Sequence, residues 1–365
     1  MKLLFLAKRF GSGKDAILED FGRQVRLAEN LVKLGNEVHL IAADYIEKRT
    51  FEKTLHGIKV VVIPFGLFSF SSYISRLRKK IRKESYDAII ASSDPIFGII
   101  AYIIAQKTPI IYDVQDNYFS YTSYKFPFVR FFEKKVLKRA VLVTTVSNSL
   151  LNHIKKVNKK CILVKNGIDS KKIKPIDKFE SRKKYNLPIE STIIAYSARY
   201  VDVNQKLAID FLVKNYNILK KKHKNLYLLL IGEGNPSRIK KDKDNKGIIS
   251  FESLSHDKLI ELLSSADILT IPYVLTPFTE FSFPYKLSEY MVFSKPVVCS
   301  DIGEMKTLMK PHPQLLFKQN NSEDFIKKIE LALKIKNVDY SQQLKDLTWN
   351  KITKKLHNAV HGALK

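Results

Sequence analysis

Acids are scarce in this sequence: 36 Asp and Glu stand against 63 Lys and Arg, a formal charge of +27 over 365 residues. Such an excess attracts polyanions, and nucleic acid and an anionic membrane surface both qualify unless part of it is mere Lys-rich usage. Cysteine is nearly absent. Cys161 and Cys299 lie far apart with no C-x-x-C or Cys/His spacing, which argues against a disulfide framework or a zinc site and suits a reducing cytoplasm. Long apolar runs are missing too. The longest, 96–105, is about half of a bilayer-spanning helix, and Asp94-Pro95 interrupt it upstream. The stretch Leu3-Leu4-Phe5-Leu6-Ala7 is too short for the core of a signal peptide and reads as a first buried strand.

What is present is a globular apolar content of 45% and a length that accommodates two domains. Short apolar runs alternate with helical stretches, the pattern of parallel-sheet α/β folds. Strands are expected at 2–7, 37–42, 59–63, 88–91, 110–112 and 141–146, and again at 192–197, 226–231, 248–251, 268–271, 297–300 and 315–317. Val25, Leu27, Ala28, Leu31, Val32 and Leu34 recur at helical spacing before Gly35, a C-cap. A Lys-rich stretch with two prolines, 170–191, lacks such periodicity and reads as the interdomain connection. The expected division is 1–169, 170–339 and a terminal helix within 340–365. Open α/β folds bind ligands at the carboxyl ends of their strands, so functional residues are expected there.

One stretch carries most of the chemistry. In Pro284-Tyr285-Lys286-Leu287-Ser288-Glu289-Tyr290-Met291, proline starts a helix and Lys295-Pro296 stop it before the run Val297-Val298-Cys299. Lys286 and Glu289 share a face near the positive end of the helix dipole, a combination suited to a nucleotide diphosphate and its ribose diol. An amphipathic helix with one internal ion pair would read the same way. Gly11-Ser12-Gly13-Lys14-Asp15-Ala16 has the form G-x-G-x-x-A after the first strand. It fits a dinucleotide-binding loop with Asp44 as a late ribose acid, or a plain tight turn, but fails as a P-loop at Lys8 and Asp15. Asp113 and Asp116 end a strand of the first half, where a carboxylate could orient a substrate hydroxyl or act as its base. Asp242-Lys243-Asp244 is flanked by lysines in a charged loop and is rejected as a metal site.

The helix resembles the donor-site signature of family 4 glycosyltransferases of the GT-B type, P-x-K-L-x-E-Y-M leading to a P-V-V strand. That resemblance implies an α/β protein of two Rossmann-like domains facing a central cleft, with a C-terminal helix crossing back to the first domain. It implies that Glu289 binds ribose hydroxyls, that Arg199 and Lys206 match the R…K pair holding the departing diphosphate, and that Gly232 and Glu233 match the I-G-x-G turn. Lys286 and Leu287 complete the donor set, and Gly11 and Gly13 match the loop that approaches the acceptor. The family's first glutamate would fall on Phe281, with Glu280 one residue early. Gln115-Asp116 stand where many relatives carry histidine-aspartate.

The implied activity is transfer of a sugar, from a UDP-sugar in preference, to a hydroxyl acceptor, without metal or cofactor and with retention. Asp113, Asp116 and Glu280 are the candidate catalytic residues. Basic residues interleave with aromatics at 65–83 and 118–139, which favours an anionic membrane surface and a lipid-linked or cell-surface glycan acceptor over nucleic acid. A cytoplasmic enzyme of polysaccharide biosynthesis, peripheral at the inner membrane face, is the expectation. The rivals are an NAD-dependent oxidoreductase built on the Gly11 loop and a basic nucleic-acid-binding protein without enzymatic activity.

Overall fold

Runs such as Leu3-Leu4-Phe5-Leu6 bury every side chain, as central strands of a parallel sheet covered on both faces must. The computed structural model describes residues 1–11, 13–66, 68–118, 126–234 and 246–365. In chain order the elements of the first part are β1 (Lys2–Lys8), β2 (Phe10–Gly11), β3 (Lys14–Asp15), α1 (Arg23–Lys33), β4 (Glu37–Asp44), β5 (Phe51–Leu55), β6 (Ile58–Pro64), α2 (Phe70–Glu84) and β7 (Ala88–Ser93). They continue with α3 (Pro95–Ile104), β8 (Ile110–Val114), α4 (Pro127–Arg139), β9 (Leu142–Thr145), α5 (Asn148–Lys155) and β10 (Cys161–Leu163). The sheet order is β10-β9-β8-β7-β1-β4-β6-β5, parallel except for the edge strand β5, which runs antiparallel to β6.

The second part holds α6 (Lys178–Lys184), β11 (Thr192–Ser197), α7 (Val203–Lys222), β12 (Leu226–Ile231), β13 (Ile248–Phe251), α8 (His256–Leu263), β14 (Ile268–Ile271), α9 (Pro277–Phe281) and α10 (Tyr285–Met291). It goes on through β15 (Val297–Ser300), α11 (Gly303–Leu308), β16 (Leu316–Phe317), α12 (Ser322–Ala332) and α13 (Ser341–Asp346). Its sheet is wholly parallel, in the order β13-β12-β11-β14-β15-β16. The expected terminal helix is two helices, because the chain breaks at Leu347-Thr348 before α14 (Trp349–Leu364).

The chain forms two compact units: Met1–Gly167 with Phe281–Phe283 and Leu347–Lys365, and Ile168–Glu280 with Pro284–Asp346. Within the first unit α14 packs on α1 and β9, Asn36 bonds His357 at 3.1 Å, and Trp349 lies flat against Gly167. A Cβ on Gly167 would fall 2.4 Å from the indole, so only glycine admits this approach. In the same unit Tyr112 donates to Glu133 at 2.9 Å beneath α4, and burial pushes the Glu133 carboxyl up to about 7.

Candidate active site

In the second unit the strand ends converge. Ala198 extends the β11 ladder by donating its N–H to the Ile231 carbonyl at 2.8 Å, Gly232 donates to Phe251 at 2.9 Å, and Tyr200 donates to Glu233 at 2.8 Å. Gly232 takes φ +140° with an ideal Cβ only 2.3 Å from the Ala198 carbonyl oxygen. The β11 and β12 ends therefore meet backbone to backbone, bringing the Arg199 and Glu233 loops together. The side chains of Arg199, Lys206 and Glu233 are exposed there.

The first turn of α7 ties these loops to the rest. Asp202 caps the helix by accepting the Gln205 N–H at 3.0 Å. The Gln205 amide oxygen accepts both the Arg199 N–H, at 3.0 Å, and the Lys286 ammonium, at 3.2 Å. Lys286 also sits 5.9 Å from the ring centroids of Tyr196 and Tyr273, within cation–π range. Lys206 lies 5.4 Å over the Tyr200 ring. Asn204 accepts the hydroxyl of Thr276, whose carbonyl in turn accepts the Glu280 N–H at 3.0 Å, so α9 and its half-buried Glu280 are held to the same turn.

Helix α10 is anchored by Tyr290, whose buried hydroxyl accepts the Ser197 N–H at 2.8 Å. Lys286 and Glu289 share a face of this helix, and each bonds a different neighbour: Lys286 turns to Gln205, and Glu289 meets His256 Nε2 at 3.2 Å. Leu287 requires a correction. Its side chain is fully buried in the core and its N–H donates to the Pro284 carbonyl, so it supports the helix and offers nothing to a ligand. Phe281, at the position of the missing glutamate, groups with the first unit, its ring edge-on to His153 and its carbonyl accepting the Ser147 hydroxyl at 2.6 Å.

The two acids of the first unit differ in burial. Asp113 is 2% exposed and forms a bidentate pair with Arg23, at 2.8 and 3.0 Å, while Ser92, Thr144 and Gln115 also donate to it. Burial opposes its charge, but Arg23 and the hydroxyls outweigh it and hold the carboxyl below its ordinary range. With every lone pair engaged it is an anchor and not a base, and the expectation of catalysis there is withdrawn. Asp116, on the loop beyond β8, is half-buried.

Gly11 and Gly13 belong to the hairpin of β2 and β3, pairing Phe10 with Asp15 and Gly11 with Lys14; Ser12 is outside the described residues. Buried Arg9 pins the hairpin through Asp15 and Asp44 at 2.8 Å each. The loop does not open a helix, since α1 starts only at Arg23, and Asp44 is wholly buried with its carboxylate also capping the N–H groups of Ile46, Glu47 and Arg49. Both requirements of the dinucleotide reading fail, and with them the oxidoreductase rival. Asp242 and Asp244 lie outside the described residues, and among those described no three His, Cys, Asp or Glu side chains gather as a metal site.

The two basic and aromatic stretches of this unit flank one helix. α3 packs on both α2 and α4, and Arg78 and Arg139 each bond carbonyls at its C-terminal end, Ile103 and Tyr102 respectively. An open groove along α2 is lined by Phe70, Ile74, Arg78, Lys79, Arg82 and Lys83. Phe68 is wholly exposed, as are large parts of Phe126, Phe128 and Phe131, whereas residues 119–125 are outside the described set. Among the described residues no helix is long and apolar enough to cross a membrane.

This chain is an enzyme, a GT-B glycosyltransferase. Residues 177–347 match the model of glycosyl transferases group 1 and residues 24–172 that of glycosyltransferase family 4, so the chain belongs to the family 4 type. Its fold is similar to that of a sucrose-phosphate synthase from Thermosynechococcus elongatus, with TM-score 0.77 and 16% identity over 99% of this chain and 98% of that one. It is also similar to Anabaena HepE in complex with UDP, with TM-score 0.71 and 15% identity over 99% and 100% of the two chains. The catalytic domain of starch synthase IV from Arabidopsis thaliana, bound to ADP and acarbose, gives TM-score 0.72 and 13% identity over 99% of each. No curated protein sequence matches the chain.

Two site residues were not legible beforehand, Gln205 and His256. The only local signal was that Gln205 precedes Lys206 at the start of a helix.

Proposed function

We propose that this glycosyltransferase moves a hexosyl group from a UDP-sugar to a hydroxyl acceptor, with retention and without a metal or cofactor. The observation that carries the reading is the meeting of the Arg199 loop after β11, the first turn of α7 with Lys206, and Lys286 of α10 at the Gln205 amide oxygen, with Glu289 on the same helix face as Lys286. The bond from the anomeric carbon to the diphosphate breaks, the acceptor oxygen takes its place on the same face, and the acceptor proton passes to the departing phosphate oxygen. Three cations meet the charge that develops on that diphosphate. Glu289 accepts from the ribose hydroxyls, Glu280 serves the sugar, and Asp116 orients the acceptor. HepE is described with both UDP and UDP-glucose, which supports UDP as the nucleotide.

Glu289→Ala is expected to weaken UDP binding about tenfold in titration calorimetry, the worth of a charged hydrogen bond to the ribose. Unchanged affinity would remove the ribose role, and a wild-type protein that binds no UDP would end the UDP-sugar reading.

The face built by α2 and α4 supports a lipid-linked acceptor, or another cell-surface glycan precursor, met at the inner face of an anionic membrane. Cations beside exposed phenylalanines suit the boundary of lipid headgroups and acyl chains. The protein is expected to float with vesicles containing anionic lipid at low salt and to stay behind with neutral ones. Lys79→Glu with Lys83→Glu should cut that binding severalfold, and equal flotation by the variant would sink the claim.

A further inference from the structure

We propose that Gln205 is the positioning residue of the diphosphate site, setting the geometry of the cations without touching the reacting atoms. The proposal rests on the donor-site reading above. Lys286 carries its charge on a flexible stem, and fixing such a stem before the ligand arrives removes an ordering cost from binding. Gln205 is well suited to that task. Its side-chain oxygen accepts from the Lys286 ammonium at 3.2 Å and from the Arg199 backbone at 3.0 Å, so one atom joins α10 to the loop after β11.

Gln205 is itself held firmly. Its own N–H is taken by the Asp202 cap, and it stands in the first turn of the 20-residue helix α7. Asn204 beside it secures Thr276, at the start of the segment that bears Glu280. One helical turn thus ties together three segments of the donor site: the loop after β11, α10 and the stretch that leads into α9.

The chemistry of the side chain matters as much as its place. An amide oxygen orients the ammonium and leaves its charge in full for an anion, whereas a carboxylate there would neutralise the cation and repel the phosphates. With one N–H of Lys286 spent on Gln205 and two aromatic rings flanking the ammonium, its remaining donors are available to a ligand.

The test compares UDP, UMP and uridine binding by calorimetry in the full-length wild type, Gln205→Ala and Gln205→Glu. Gln205→Ala should weaken UDP about tenfold and leave uridine within about twofold, because only the diphosphate meets the cations. Gln205→Glu, which keeps the acceptor and adds a charge, should weaken UDP further still and again spare uridine. Equal losses for UDP and uridine would mean a merely structural role and overturn the inference, as would UDP binding unchanged in both variants. A wild type that binds no nucleoside diphosphate would overturn the donor-site reading itself, whereas wild-type binding with insensitive variants overturns the inference alone.

Discussion

Lys286→Ala is expected to lower kcat by about two to three orders of magnitude, the usual cost of removing one preorganised donor aimed at a developing negative charge. The reason lies in when the charge appears. A glycosyl–phosphate bond is already anionic in the ground state, but the bridging oxygen gains its charge only as the bond breaks, so a cation fixed beforehand acts mainly on the barrier. Lys286 is the most constrained of the three, set between Gln205, Tyr196 and Tyr273, while Arg199 and Lys206 are exposed. Initial-rate measurements over a range of UDP-sugar should therefore show a fall in kcat with a smaller change in KM, the reverse of the pattern expected for Glu289→Ala. A kcat within about threefold of wild type would deny Lys286 its part in the reaction.

The second large effect concerns the fold. Arg23→Met should cost about 3–5 kcal/mol of stability at neutral pH, because it leaves the Asp113 carboxylate charged and unpaired where neither side chain is more than 2% exposed. The pH dependence tests the mechanism. In the wild type Asp113 is depressed below its ordinary pKa, so its contribution is complete above about pH 4, the unfolded value, and is lost as pH falls through the folded one. In the variant the stranded carboxylate takes up a proton more readily, so the gap to wild type should narrow on acidification. Adding Asp113→Leu should recover much of the loss, since no buried charge then remains. Urea denaturation at several pH values reads all of this, and a neutral-pH loss below about 1 kcal/mol would show that the pair is not what organises β8.

The second-half strands at 192–197, 226–231, 248–251, 268–271 and 297–300 were legible to the residue because apolar runs between turn residues leave little freedom. In the first half, β7 and β8 run past their apolar cores into Ser92-Ser93 and Asp113-Val114. These polar ends are buried because Arg23, some 90 positions away, satisfies Asp113, a partnership that no local pattern announces. The edge strand β5 escaped notice because its middle residues, Glu52, Lys53 and Thr54, all face solvent.

At the site, the helix bearing Lys286 and Glu289 was legible from its proline start and charged face. Leu287 was misread because a motif does not say which of its residues face inward. Gln205 and His256 act through contacts spanning 81 and 33 positions, and only the folded chain brings those together.

The return of Leu347–Lys365 to the first unit has a consequence for how the protein is made. Synthesis runs from the amino end, so β1 to β10 emerge long before the helix that covers α1 and sets Trp349 on Gly167. During translation the second unit, apart from Phe281–Phe283, emerges as one continuous stretch, while the first waits on the ribosome with an apolar flank bare. The unit begun first is the one finished last, and that interval is when a nascent chain of this kind most needs a chaperone.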